Sequence, residues 1–378
     1  MKPRSNWPTA LGLRAGDSVK VRDKEAILLT LDEDGRLDGL PFMPEMFAFC
    51  GKRLVVAKRA HKTCDTVNKS GGRKMKNAVH LDGVRCDGQA HGDCQAACLI
   101  FWKEAWLERV DAAQSSMTAG KRESGSADAR LSERDIWTAA RARDDVNEVD
   151  PTYVCQATLL PQATTSLPWW DFRQYLEDYT SGNASIWQLL SGGIYVGYYG
   201  LVTRVARHSR RMSAVLMRLY DAAQAFAGGV PYPRRWGTVA PGEKTPSRPL
   251  GLKPGDLVQV RTYREILSTL DVNNRNRGLY FDAEEVPYCG KKLRVRSCVT
   301  KIIDEKTGKM LTLKDRNVIL EGAICQARYS DRRMACPRAI YSIWRETWLE
   351  RVDQSADSDA TLRSPGDDHQ FETQAGTF

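Results

Sequence analysis

The sequence lacks the short motifs by which several large enzyme classes are recognised. Its 378 residues contain no glycine-rich phosphate loop, no serine nucleophile elbow, no His-Glu-x-x-His motif and no dinucleotide-binding fingerprint. This absence argues against P-loop nucleotide hydrolases, α/β-hydrolases, zincin proteases and Rossmann-type dehydrogenases. Function must therefore be sought in features that are particular to this chain.

A secretory signal is also absent from the start of the sequence. Residues 1–16 contain no apolar run of seven or more, which a signal peptide requires. We therefore expect a cytoplasmic protein. In a reducing compartment, the ten cysteines are thiols or metal ligands rather than disulfides, so their spacing is informative.

The sequence contains one domain twice. Residues 11–86 align with 250–325 at a constant offset and without a gap, and about 29 of the 76 positions are identical. The shared stretches include Gly-Asp-x-Val-x-Val-Arg, Gly-Leu-x-Phe-x-x-Glu and Cys-Gly-Lys-x-Leu. After Cys86 and Cys325 the second copy gains three residues, and both copies end on Trp-x-Glu-x-Trp-Leu-Glu-Arg-Val-Asp.

Each copy has the alternating pattern of short, half-buried strands, interrupted by one short helix at about residues 24–31. Trp102 and Trp106 are predicted to lie in the core. We predict an α+β protein in which two tandem, mainly β, SH3-like barrels flank a partly helical middle region. The predicted segments are repeat 1 at 11–111, a flexible linker at 112–133, the basic middle region at 134–249, repeat 2 at 250–353, and a disordered tail at 354–378.

Acidic residues are scarce in part of the middle region. Residues 181–250 contain nine Lys or Arg against two acids, so this segment could attract nucleic acid, or could equally be a solvated basic face. Residues 184–203 carry no charge and adjoin the basic stretch 204–218. A helix packed on its own domain is the favoured interpretation of 184–218, and peripheral contact with the inner face of the membrane is the alternative.

The cysteine-rich part of repeat 1 is the predicted functional site. Thiolates are the usual ligands of structural zinc and of iron–sulfur clusters. The preferred metal ligands are Cys64, Cys86, Cys94 and Cys98, with Cys50 and His91 as alternates. Their spacing matches no standard zinc-ribbon or ferredoxin rule, so buried free thiols are the competing interpretation. Gly88 and Gly92 would let the backbone fold tightly around an ion.

Repeat 2 serves as an internal comparison for this site. It retains Cys289, Cys325 and Cys336 at the positions of Cys50, Cys86 and Cys94. It has lost the equivalents of three other residues, since His61 aligns with Thr300, Cys64 with Ile303, and Cys98 with Ile340. Either the retained trio is the metal core, with Cys298 as a possible fourth ligand, or repeat 2 has a degenerate site. We favour the second interpretation.

Several motifs resemble those of a family of uncharacterised bacterial proteins. They are Leu-Asp-Gly-Leu-Pro-Phe-Met-Pro-Glu-Met at 37–46, Ala-His-Lys-Thr-Cys-Asp at 60–65, Cys-Gln-Ala-Ala-Cys at 94–98, Tyr-Val-Cys-Gln-Ala at 153–157 and Pro-Trp-Trp-Asp at 168–171. The likeness extends over nearly the whole chain. It implies the tandem-repeat architecture and no particular activity.

Three functions therefore compete on the sequence. The leading one is an accessory protein that binds zinc, or alternatively an iron–sulfur cluster, through repeat 1 and acts as an interaction or assembly module with another protein as partner. The second is a metal- or cysteine-dependent enzyme that uses His61, Cys64 and Asp65. The third is a nucleic-acid-binding protein that uses the basic middle region.

Overall fold

The computed structural model describes residues 10–110, 131–143, 149–330 and 332–352. These residues form two compact units. The first unit contains the chain up to Gly197 together with Val299–Lys314 and Ile324–Tyr341, and the second contains Tyr198–Cys298, Asp315–Ala323 and the chain from Ser342 onward. Two segments of repeat 2 therefore belong to the unit that contains repeat 1. The predicted linker lies outside the described residues as far as residue 130, and the predicted tail lies wholly outside them.

A five-stranded antiparallel sheet organises repeat 1 in the first unit, with the strand order β8-β7-β4-β1-β9. Its inner face is apolar because side chains alternate along each strand, so that Val19 and Val21 are fully buried while Ser18 is exposed. The strands of repeat 1 are β1 (Ser18–Val21), β2 (Arg36–Leu37), β3 (Leu40–Pro41), β4 (Arg53–Arg59), β5 (Lys62–Cys64), β6 (Gly72–Lys74), β7 (Ala78–Leu81), β8 (Trp102–Lys103) and β9 (Leu107–Arg109).

The predicted tryptophan core of repeat 1 is confirmed. Trp102 and Trp106 are fully buried, and the ring of Phe42 meets that of Trp106 edge-on at a centroid distance of 5.2 Å. A 3-10 helix, Glu104–Trp106, lies immediately before β9 and directs Trp106 into the core. The predicted short helix is also present, as α1 (Lys24–Leu28).

Helices and one strand follow repeat 1, as the prediction of a partly helical middle region required. They are α2 (Glu133–Ala139), α3 (Leu160–Ala163), β10 (Thr165–Leu167), α4 (Arg173–Thr180), α5 (Ile186–Ala206) and α6 (Arg210–Phe226). The charge-free residues 184–203 lie mostly in α5, along which the chain passes from the first unit into the second. Among the described residues, no helix combines the length and the apolar character needed to cross a bilayer.

Repeat 2 repeats the sheet and the core of repeat 1. Its five-stranded sheet has the order β16-β15-β14-β11-β17, and Phe281 meets Trp348 edge-on at 5.2 Å. The elements are β11 (Leu257–Val260), α7 (Tyr263–Leu267), β12 (Arg275–Asn276), β13 (Leu279–Tyr280), β14 (Lys292–Ile303), β15 (Met310–Ile324), β16 (Tyr341–Arg345) and β17 (Leu349–Arg351).

The fold class is α+β, with several antiparallel sheets and no closed barrel among the described residues. In neither five-stranded sheet do the two edge strands pair with each other. The strand order therefore does not confirm the predicted SH3-like barrels. The division into separate repeat domains also stays a prediction, because part of repeat 2 is grouped with repeat 1.

Candidate metal and thiol centre

Three side chains of the first unit place one potential metal-ligand atom each within 4.8 Å of the others: Glu45, Cys86 and His91. Within the described residues this is the one group of three or more such side chains that meets that criterion. Glu45 lies in a 3-10 helix, Pro44–Phe49, and His91 in another, Gln89–His91. Cys86 lies between β7 and the second of these helices. Short helices thus bring together residues from distant parts of repeat 1.

The ring of His91 is held in one orientation by the backbone. Its Nε2 lies 3.1 Å from the carbonyl oxygen of Val154, and a carbonyl can only accept, so Nε2 carries the proton. In the neutral ring, Nδ1 then holds the lone pair, and it lies 3.7 Å from Glu45 Oε1. Both His91 Nδ1 and Glu45 Oε2 are buried without a hydrogen-bond partner.

The Cys86 thiol completes this group. Its Sγ donates a hydrogen bond to Glu45 Oε1 at 2.9 Å. Burial, reinforced by the neighbouring Glu45 carboxylate, raises the pKa of Cys86 far above its usual range. In the absence of a cation the thiol therefore keeps its proton at neutral pH.

Glycines shape the loop that carries these ligands, as the sequence predicted. Gly88 and Gly92 both have left-handed backbone conformations, with φ of 78° and 63°. A Cβ atom on Gly88 would lie 2.0 Å from the carbonyl oxygen of Cys94, and one on Gly92 would lie 2.3 Å from the Tyr153 hydroxyl oxygen. Only glycine fits at either position, so the loop is built for close packing around His91.

A cavity lies beside the three-residue group. Its lining includes two of the group, Cys86 and His91, and further side chains of the first unit: Cys94, Cys98, Cys155, Gln156, Ile303, Glu305 and Arg338. Burial raises the pKa of Cys98 to about 12 and that of Cys155 to about 11. Thus five thiol or imidazole side chains face one small space.

The four preferred ligands from the sequence are distributed over two places. Cys86, Cys94 and Cys98 line the cavity. Cys64 lies instead beside Cys336 of repeat 2. Of the four, only Cys86 belongs to the compact ligand group among the described residues, so the four-cysteine set stays a prediction.

The other cysteine alternates take different positions. Cys50 packs against the core of repeat 1, where burial raises its pKa to about 11. Cys289 packs in the same way against the core of repeat 2, within the second unit. Cys325 and Cys336 lie in the part of repeat 2 that belongs to the first unit. His91, the remaining alternate, is one of the three grouped ligands.

Glu45 is the ligand candidate that the sequence analysis did not single out. A carboxylate 41 positions before Cys86 has no recognisable spacing relation to it. The repeat alignment did hold a signal, because Glu45 and Cys86 are both identical in repeat 2, as Glu284 and Cys325. Both residues are therefore among the polar positions retained in the two copies.

The proposed catalytic set His61, Cys64 and Asp65 is not assembled. His61 Nε2 lies 3.2 Å from the carbonyl oxygen of Gln174, and burial lowers the pKa of His61 to about 4. The Asp65 carboxylate accepts hydrogen bonds from its own loop, from the Asn68 amide at 2.8 Å and from the Ser70 hydroxyl at 2.5 Å. The three side chains belong to separate hydrogen-bond networks.

Comparisons with known proteins add no family to this description. No protein-family model matches the chain, and no curated protein matches it significantly.

Proposed function

We propose that the chain is an accessory protein that binds a divalent metal ion, zinc by preference, through Glu45, Cys86 and His91. The observation that carries this proposal is the orientation of His91. Its Nδ1 atom is buried, lacks a hydrogen-bond partner and lies beside Glu45, while its Nε2 faces a backbone carbonyl oxygen. Histidine ligands of metals are oriented in this way by a carbonyl or carboxylate on the far nitrogen.

The donor types support zinc over the harder divalent ions. An imidazole nitrogen, a thiolate sulfur and a carboxylate oxygen form a mixed set that zinc accepts, whereas magnesium and calcium prefer oxygen donors. Zinc would also favour the thiolate form of Cys86, which shares its proton with Glu45 in the metal-free arrangement. Three protein donors leave a fourth position, which a cavity thiol or a water molecule could fill.

An iron–sulfur cluster is the competing occupant. Clusters are held mainly by thiolates, and Cys94, Cys98 and Cys155 line the same cavity. The two alternatives differ in colour, since zinc proteins lack visible absorption bands and iron–sulfur proteins have them.

We expect purified protein to contain about one zinc ion per chain, and Glu45→Gln and His91→Ala to lower its zinc affinity by at least ~100-fold. Removing a donor weakens the site, and Glu45→Gln preserves side-chain shape. Metal analysis and competition with a chromogenic chelator measure the effect. His208→Ala, which changes an exposed histidine of the second unit, is the matched control.

Cys64→Ser decides between the two ligand sets in the same assay. Unchanged zinc affinity supports the Glu45, Cys86 and His91 set, and a loss equal to that of His91→Ala supports the four-cysteine set. Full zinc retention in both Glu45→Gln and His91→Ala would refute the proposed site.

The repeats themselves are proposed to be SH3-like interaction modules. In both copies the last strand returns to pair with the first, and a 3-10 helix precedes that last strand. These are features of SH3-like barrels, and a protein partner is the corresponding proposal.

A second candidate function, binding of single-stranded nucleic acid, is favoured by a pocket in the second unit. Trp236 and Tyr280 line it and are 60% and 42% exposed, so a base could stack on either ring. Arg234 and Arg235 line the same pocket. The nearby sequence adds exposed arginines on α6, at Arg210, Arg211 and Arg218.

We expect a short oligothymidylate to bind with an affinity that falls steeply with salt, and Trp236→Ala to weaken binding by about 10-fold through lost stacking. Fluorescence anisotropy at two salt concentrations measures both effects. Trp170→Ala is the matched control, because Trp170 is an exposed tryptophan of the first unit. Binding to anionic lipid vesicles without binding to the oligonucleotide would favour membrane contact through 184–218 instead.

A further inference from the structure

The thiols of Cys64 and Cys336 lie beside each other in the first unit, between two contacts that hold their segments together. Lys62 Nζ donates to the Met334 carbonyl oxygen at 2.9 Å, and Arg338 Nη1 donates to Thr66 Oγ1 at 2.7 Å. Cys64 ends β5 of repeat 1 and is 6% exposed. Cys336 lies between β15 and β16 of repeat 2, in the segment that belongs to the first unit. The two sulfurs are separated by most of the sequence, yet they are direct neighbours in space.

This pair is one half of a reciprocal pattern between the copies. By the repeat alignment, Cys64 corresponds to Ile303, and Cys336 corresponds to Cys94. The reciprocal contact is also present, because the Ile303 amide donates to Cys94 Sγ at 3.3 Å. Each copy thus places the segment around its own position 64 or 303 against the cysteine loop of the other copy.

Two further contacts show the same reciprocal arrangement of the two copies. The Thr66 hydroxyl donates to the carboxylate of Glu305, which is its own equivalent in repeat 2. The Arg85 guanidinium donates to the carbonyl oxygens of Ala97 and Ala339, which are equivalent to each other, at 2.9 and 3.0 Å. Contact between a residue and its equivalent is the signature of an approximate two-fold relation.

The exchange produces only one thiol pair. On one side of the relation, cysteine meets cysteine at 64 and 336. On the other side, isoleucine meets cysteine at 303 and 94. By the repeat alignment alone, Cys64 is a ligand that repeat 2 has lost, whereas in space Cys64 lies beside the cysteine loop of repeat 2.

A buried arginine lies against the pair. The Arg338 side chain is 3% exposed and is fixed by hydrogen bonds to Thr66 Oγ1 at 2.7 Å and to Glu305 Oε1 at 2.9 Å. The neighbouring Cys336 thiol lowers the pKa of Cys64, and Arg338 adds to that effect, while burial opposes it. Arg338 is held beside Cys64 by its hydrogen bond to Thr66, and a guanidinium stabilises a neighbouring thiolate, so Cys64 is suited to be the attacking sulfur and Cys336 the second thiol.

We propose that Cys64 and Cys336 form a dithiol–disulfide redox site whose oxidant is a small peroxide. Hydrogen peroxide is barely larger than water, so among oxidants it is well suited to reach a buried sulfur. The Cys64 thiolate attacks one peroxide oxygen, the O–O bond breaks, and the departing hydroxide takes up a proton to become water. Cys64 is then a sulfenic acid.

The second step closes the disulfide. The sulfur of Cys336 attacks the sulfur of Cys64, the S–O bond breaks, and hydroxide leaves with the proton of Cys336 as a second water. The two thiols together lose two electrons, and the peroxide is reduced to two waters. A dithiol reductant reverses the reaction by thiol–disulfide exchange.

The test uses the reduced, full-length protein treated with equimolar hydrogen peroxide, quenched with an alkylating agent and digested for mass spectrometry. We expect one cross-linked peptide pair containing Cys64 and Cys336. Thiol titration in denaturant with chelator should show the loss of two of the ten thiols, restored by dithiothreitol. Cys64→Ser and Cys336→Ser should prevent that cross-link, and Cys298→Ser should not.

The wild-type measurement alone can overturn the proposal, so it does not depend on the variants folding. Accumulation of sulfinic or sulfonic acid at Cys64 without the cross-link would do so. A disulfide formed mainly between other cysteines, or an unmodified Cys64 after oxidation of the other thiols, would do so equally.

Discussion

Lys62→Met lowers the free energy of unfolding by about 3–5 kcal/mol, because it leaves a buried carboxylate without its partner. Lys62 Nζ lies 2.5 Å from Asp178 Oδ2 and also donates to the carbonyl oxygen of Met334 at 2.9 Å. Lys62 is 3% exposed, and Asp178 is fully buried. The pair joins β5 to α4, and Lys62 also joins β5 to the loop from repeat 2.

The double variant Lys62→Met/Asp178→Leu is the control for this prediction. Replacing both charges by apolar groups removes the unpaired carboxylate, so most of the lost stability should return. Denaturant unfolding of the wild type, both single variants and the double variant gives the coupling free energy. A cost below about 1 kcal/mol for Lys62→Met would contradict a buried, strongly coupled pair.

The loss of stability in the single variant Lys62→Met should depend on pH. Burial raises the pKa of Asp178 to about 6, and Lys62 opposes this rise. Below its folded pKa the native carboxyl binds a proton that the unfolded chain does not bind until about pH 4, so acidification between these values favours the folded state. Lys62→Met removes the charge that opposes this rise, so the pKa of Asp178 is raised further in the variant. The deficit of Lys62→Met should therefore be largest above that higher pKa, should shrink as the pH falls through it toward 6, and should stay constant between pH 6 and 4, where the carboxyl is protonated in both folded proteins.

Glu104→Ala, made separately in the wild-type chain, should lower the free energy of unfolding of the first unit by about 3–5 kcal/mol. The Glu104 carboxylate is fully buried and accepts hydrogen bonds from three successive backbone amides, with Gly12 N at 2.9 Å and Leu13 N at 3.3 Å, and from Leu11 N. Arg59 Nη1 donates to it at 3.0 Å. Alanine would leave the buried Leu13 amide without its acceptor, would remove the acceptor of the Leu11 and Gly12 amides, and would take the Glu104 carboxylate away from Arg59.

Repeat 2 supplies a matched control for Glu104. Glu346 accepts from the equivalent amides, including those of Gly251 and Leu252, both at 3.0 Å. Cys298 occupies the position of Arg59, so Glu346 lacks that guanidinium. Glu346→Ala should therefore cost less than Glu104→Ala. Hydrogen exchange at residues 11–13 and 250–252 assigns each loss to its unit, and equal costs would show that Arg59 contributes nothing.

The strands, the short helix and the tryptophan core could be predicted from the sequence because their signals are local. In β1 the apolar residues alternate with polar ones, which indicates that every second side chain is buried. Trp102 and Trp106 recur at the equivalent positions of repeat 2. The loop glycines Gly88 and Gly92 were also predicted, since backbone conformation is determined by immediate neighbours.

The candidate site could be predicted only in part, because its remaining members come from tertiary contacts. His91 and Cys86 were within one cysteine-rich run, but Glu45 joins them through the packing of a separate 3-10 helix. The partner of Cys64 was missed for a different reason. A tandem duplication suggests two self-contained repeats, and no local pattern indicates that segments of one copy pack against the other.

Duplication within one chain changes what selection can do at such an exchanged contact. In a symmetric dimer of identical chains, one codon would determine position 64 in both subunits. The two symmetry-related contacts would then always contain the same residues. Here positions 64 and 303 are encoded separately. The chain can therefore retain two facing thiols on one side and place on the other side an isoleucine, Ile303, whose backbone amide donates to Cys94, so that Cys94 is left to line the neighbouring cavity.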